Sequence, residues 1–173
     1  MNPVGELLGL GDIHLDVDVS DKARLLQRIA SFLAQRLGLS DAEVLQSLAA
    51  REQLGSTGLG HGVAIPHARM PQCYAVAGVF VRTKIAVPFD APDHKPVSLL
   101  LALVVPKQAT ERHLQLLATA ATMFSDRVFR EKLRAASDPD NVRGLLLAWP
   151  DAPEPGGEIG AATPGRSTDD ESR

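Results

Sequence analysis

A chain of 173 residues with 45% apolar content is long enough to bury one substantial core, and its length asks for no second domain. The formal net charge of −3 is unevenly spread: residues 150–173 hold six acids and two arginines, so the body to Trp149, with 16 bases against 15 acids, offers no patch for nucleic acid. Cys73 stands alone, which excludes an intrachain disulfide and a Cys-x-x-Cys metal pair, and no run reaches the roughly 18 to 20 apolar residues of a membrane span. Together with the absence of a basic-then-apolar start, this gives the expectation of an unexported, cytoplasmic protein with no membrane insertion.

In chain order, Ile13, Leu15, Val17 and Val19 alternate with polar residues, the period of a half-exposed strand. Ser20 or Asp21 caps a helix that carries Leu25, Leu26, Ile29, Phe32, Leu33 and Leu37 on one face until Gly38 ends it. Ser40 and Glu43 form a capping box for a second helix, which should end near Leu54. Residues 63–65, 75–83 and 97–105 read as strands, the last so continuously apolar that it must be buried on both faces. Helices follow over about 110–124, 127–135 and 141–149. Strands covered by helices on both faces make a three-layer α/β/α sandwich over residues 1–149. Beyond it, four prolines, four glycines and a single large aliphatic, Ile159, read as a disordered acidic extension, either inert or an arm acting through its charge.

The stretch from Arg51 to Arg69 is the richest in chemistry. Three glycines at alternate positions, Gly58, Gly60 and Gly62, free the backbone and leave room for an anion or a partner surface. Pro66 then stiffens the approach to His67 and biases Ile65 towards extended backbone. An imidazole aimed in this way is a candidate nucleophile: near pH 7 it is largely neutral, and it is a fair leaving group when a phosphoryl group moves on. On chemistry alone, a lone histidine at a strand end is more often a satisfied hydrogen-bonding residue.

The pattern as a whole tips that balance. Arg51-Glu52, Gly55-Ser56-Thr57-Gly58 and Ala64-Ile65-Pro66-His67 occur in order, followed by Phe89-Asp90-Ala91-Pro92, Lys95-Pro96-Val97, the apolar run to Pro106, and Arg112-His113-Leu114. Over roughly residues 5 to 147 this resembles the IIA proteins of the bacterial phosphotransferase system, of the fructose/mannitol type, and within them the nitrogen-regulatory branch. The resemblance implies an α+β fold with a mixed sheet. It implies phosphoryl transfer on His67, with His113 as an assisting second histidine and Arg51 beside the phosphorylated ring. Ser56 and Thr57 are candidates for phosphoryl-binding support, although turn-forming residues account for them equally well. Ala68 stands where many relatives carry glycine, which narrows the approach to His67.

The partner implied is an HPr-like phosphocarrier, with Leu59, Val63, Ala68 and Met70 as a docking rim chosen by proximity in sequence. Downstream, the protein either regulates target proteins through its phosphorylation state or passes phosphate to a sugar-specific IIB component. Gly55-Ser56-Thr57-Gly58 favours the regulator. No cofactor is called for, since the protein itself supplies the charge stabilisation. A zinc site from His61, His67 and His113 lacks any short ligand pair, and the glycine run has neither G-x-G-x-x-G spacing nor a Walker lysine. His14, His61 and His94 are read as ordinary structural residues.

Overall fold

The computed structural model describes residues 2–108 and 110–150. In chain order the elements are α1 (Pro3–Leu7), a 3-10 turn (Leu10–Asp12), β1 (Ile13–Val17), α2 (Lys22–Leu37), α3 (Asp41–Gln53), β2 (Gly58–Gly60), β3 (Val63–Ala64) and β4 (His67–Met70). They continue with β5 (Ala77–Val87), β6 (Val97–Pro106), α4 (Glu111–Ser125), α5 (Arg127–Ala135) and α6 (Pro139–Ala148). The tail expected from residue 150 lies, from 151 onward, outside the described residues.

β6 organises the molecule because its side chains alternate between two cores, as the period of a strand requires. Leu99, Leu101 and Leu103 join Phe80, Leu116, Phe124 and Leu133 on one face. Leu100, Ala102 and Val104 join Leu25, Ile29, Leu33, Val44 and Leu48 on the other. Helices α2 and α3 therefore cover one face of the sheet, and α1, α4, α5 and α6 cover the opposite one. Each fully buried leucine contributes on the order of 2 kcal/mol by leaving water.

The sheet has six strands in the order β1-β5-β6-β3-β2, with β4 also paired to β6. It is mixed: β5 and β6 run antiparallel, while β1 on β5 and both β3 and β4 on β6 are parallel. This is the α+β, three-layer arrangement expected from the sequence. The caps also fall where expected, with Asp21 accepting from Arg24 N–H, Ser40 accepting from Glu43 N–H, and Gly38 left-handed at φ 68°. The last helix begins two residues earlier than its apolar pattern suggests, because Asp138 caps it and Pro139 occupies its first turn.

Candidate functional site

β3 and β4 are two pieces of one pass along β6: Val63 and Ala64 oppose Leu99 and Leu100, and His67 opposes Leu103. Ile65 and Pro66 separate them. Pro66 has no N–H to offer the ladder, but its carbonyl accepts from Leu103 N–H at 2.9 Å, so the register is kept. The interruption leaves the Ile65 carbonyl beside the His67 ring, where it accepts a hydrogen bond from Nδ1 at 2.8 Å. A carbonyl can only accept, so the neutral ring holds its proton on Nδ1 and its lone pair on Nε2. Along β4 the period of two sends Ala68 and Met70 into the core and leaves His67 and Arg69 on the other side.

His67 is half-buried, and its pKa lies below the ordinary 6.5. Burial is the main cause; the Ile65 hydrogen bond opposes it, the Arg51 charge adds to it, Glu52 opposes and Arg69 adds. The ring is thus kept neutral, which is the state a nucleophilic imidazole requires.

Two helix ends complete the site. At the C-terminus of α3, Arg51 donates from Nη1 to the Gly55 carbonyl at 2.9 Å, which anchors the guanidinium while leaving other N–H groups available. At the N-terminus of α4, the Thr110 N–H donates to His113 Nδ1 at 3.1 Å. That nitrogen is therefore the acceptor, and the neutral His113 ring carries its proton on Nε2 as a donor. The two histidines are thus fixed in opposite tautomers, one Nε2 presenting a lone pair and the other a proton. Both line one cleft of about 590 Å³ together with Arg51, Arg69, Leu54 and Leu114.

The sequence reading places Arg51, His67 and His113 together, and the structure does the same. Ser56 and Thr57 are placed elsewhere. The Thr57 hydroxyl donates to Glu52 at 2.6 Å, its N–H donates to the same carboxylate, and the Ser56 hydroxyl donates to the Phe89 carbonyl at 2.7 Å. Neither lines the His67 cleft; they brace the loop after α3. The glycine run forms the β2–β3 hairpin, with Gly60 and Gly62 at φ 87° and 79°, and a Cβ at Gly58 would meet Ala91 at 2.8 Å. Its space is filled by protein.

The docking rim proposed by proximity is also corrected. Val63, Ala68 and Met70 are buried, although Ala68 lines the cleft; Leu59 is exposed but does not line it, and the exposed large apolar side chains at the cleft are Leu54 and Leu114. Arg69 escaped the reading altogether. Its signal was its position two residues after His67, which on a strand means the same face. His61 lines a different cleft, and among the described residues no three His, Cys, Asp or Glu side chains form a metal-sized group.

Residues 6–148 match the family described as phosphoenolpyruvate-dependent sugar phosphotransferase system, EIIA 2. A nitrogen regulatory protein of Pseudomonas aeruginosa is 41% identical over 143 residues, 82% of this chain and 93% of its own length. The crystal structure of nitrogen regulatory protein IIA-Ntr from Neisseria meningitidis superposes with a TM-score of 0.81 at 46% identity, covering 84% of this chain and 99% of that one. The mannitol IIA enzyme of Escherichia coli, solved in complex with phosphorylated IIB, gives a TM-score of 0.70 at 22% identity over 81% of this chain and 96% of that one, a likeness of fold alone. No helix among the described residues is long and apolar enough to cross a membrane. The chain belongs to the EIIA 2 family of the phosphotransferase system, and its relatives at about twice the identity of the mannitol enzyme are the nitrogen-regulatory proteins.

Proposed function

We propose that His67 Nε2 is the phosphoryl acceptor of a cytoplasmic carrier protein, charged by an HPr-like phosphohistidine donor, and that its phosphorylation state regulates partner proteins in a nitrogen-related phosphotransferase branch. The observation that carries this reading is the hydrogen bond from His67 Nδ1 to the Ile65 carbonyl, which reserves the Nε2 lone pair for the cleft. The donor presents its phosphoryl group in line with that lone pair. A bond from Nε2 to phosphorus forms as the donor's N–P bond breaks, and the donor imidazole leaves with the electron pair. No proton need leave His67, since Nδ1 holds its own throughout.

Charge on the equatorial oxygens is met by the protein. Arg51 and Arg69 offer guanidinium N–H groups, and His113 offers the proton on Nε2. Leu54, 85% exposed, and Leu114, 57% exposed, supply an apolar rim on which a small carrier can seat and exclude water. The nitrogen-regulatory relatives favour regulation over sugar transport.

Incubation with phosphoenolpyruvate, enzyme I and the phosphocarrier, followed by intact-mass measurement, tests the carrier role. One acid-labile phosphoryl group is expected, and none on His67→Ala; full labelling of that variant would sink the proposal. Transfer from the charged protein to an isolated fructose or mannitol IIB domain would instead favour the transport reading.

A further inference from the structure

A second cleft, of about 520 Å³, lies at the opposite end of β6 from His67. Its walls are the β2–β3 turn, the start of β6 and one face of α5. Val63, beside that turn, opposes Leu99, whereas His67 opposes Leu103. Four residues of strand, roughly 13 Å, therefore separate the two sites.

The charge here is one-sided. Lys95, Arg127, Arg130 and Arg134 line the cleft against a single carboxylate, Glu131, which accepts from Arg127 Nε at 3.0 Å. No carboxylate among the described residues pairs with Lys95, Arg130 or Arg134. The nearby Asp93 is turned to the backbone N–H groups of His61 and Lys95.

Two of these cations are anchored to backbone carbonyls, Arg130 buried and Arg134 exposed. Arg130 is 6% exposed; its Nη1 donates to the Phe124 and Ser125 carbonyls at the end of α4, and its Nε has no partner among the described residues. Arg134 donates from Nη2 to the His61 carbonyl at 2.7 Å, passing close to Gly62, where a Cβ would meet the same nitrogen at 2.7 Å. Burial, and next the Arg130 charge, lower the pKa of Arg134, with Glu131 opposing. Holding like charges together under partial desolvation costs free energy that a bound anion would recover.

We propose that this cleft is a second anion site that binds a small phosphate ester or polyphosphate, distinct from the phosphoryl group carried at His67. Planar guanidinium forks suit phosphate oxygens, and four cations gathered around one shallow cleft suit a compact, multiply charged anion.

Calorimetric titration of the full-length, unphosphorylated chain at low salt tests this, with inorganic pyrophosphate and, separately, adenosine diphosphate as probes. Saturable binding at one site is expected, weakening as salt is added. Lys95→Ala/Arg127→Ala, which removes two exposed side chains and leaves Arg130 in place, should weaken it tenfold or more with an unchanged melting temperature. Arg51→Ala, in the His67 cleft, should leave it within twofold. Equal affinity for the two probes means that the phosphates alone are read, and tighter binding of the diphosphate means that the nucleoside adds a contact; either supports the site. Three results would overturn it: no saturable binding, loss of binding in Arg51→Ala rather than in the double variant, or tighter binding of polyglutamate than of pyrophosphate, which would make this face a docking surface for acidic protein.

Discussion

His67 and His113 each commit one ring nitrogen to the backbone, but in opposite senses, and on the proposed reading that difference separates acceptor from assisting donor. His67 gives its Nδ1 proton to Ile65, and His113 receives one from Thr110. Loss of the donor on His113, or of the fixed charge on Arg51, should slow phosphoryl transfer while His67 still charges in the end. His113→Ala and Arg51→Ala are each expected to fall by ~10²-fold in rate, the order seen when one preorganised donor is removed; quenched-flow labelling at wild-type speed would make both residues merely structural. Because burial chiefly holds the pKa of His67 below 6.5, the neutral ring predominates at neutral pH. The acceptance rate should be level above neutrality and decline only as pH drops below the ordinary imidazole range. Arg51→Ala removes a nearby positive charge, eases protonation and should move that decline to higher pH. A pH profile with an unshifted midpoint would contradict this. The role of Ser56 and Thr57 could not be read from the sequence, because a hydroxyl looks the same whether it faces a phosphate or a buried carboxylate.

Among the elements, the end of α3 and the loop after it depend on one side chain. Glu52 is buried, accepts from both the N–H and the hydroxyl of Thr57, and pairs with Lys22 Nζ at 2.9 Å. Its pKa is lowered, the Thr57 and Lys22 hydrogen bonds outweighing burial, which is the largest single effect and acts upward. Glu52→Ala strands those donors and should cost about 2–4 kcal/mol in chemical denaturation. It should also loosen the Gly55 carbonyl that anchors Arg51; an unchanged midpoint of unfolding would refute the bracing role. Long elements with strong periods were legible in the sequence, namely α2, α3, β5, β6 and α4. Among the short ones β1 and β3 were legible, but α1, β2 and β4 were not. β4 holds only four residues after a proline, and β2 is Gly-Leu-Gly; each is a strand because β6 or β3 offers it a ladder, and for β4 that information sits 36 residues away in β6. Missing β4 meant missing Arg69.

For the molecule as a whole, two cores share one sheet, and the His67 cleft opens where β4 meets the ends of α3 and α4. Trp149 closes the last helix edge-on to Phe129, with ring centroids 4.8 Å apart. Deleting residues 152–173, beyond this contact, is expected to leave melting temperature and phosphorylation nearly unchanged; a large loss of stability would move the domain boundary. Acid should weaken the fold for a separate reason. His14, stacked on Phe32, and His67 both have pKa values lowered chiefly by burial, so the unfolded chain binds more protons than the folded one. Their contribution is complete above about pH 6.5 and is lost as pH falls through the folded values, which urea titrations across that range would reveal. The central claim concerns a single atom, and nitrogen NMR of the phosphorylated protein, labelled in its histidine rings, addresses it directly. The account predicts phosphorus on Nε2 of His67 with Nδ1 still protonated; phosphorus on Nδ1, or on any other histidine, would contradict it.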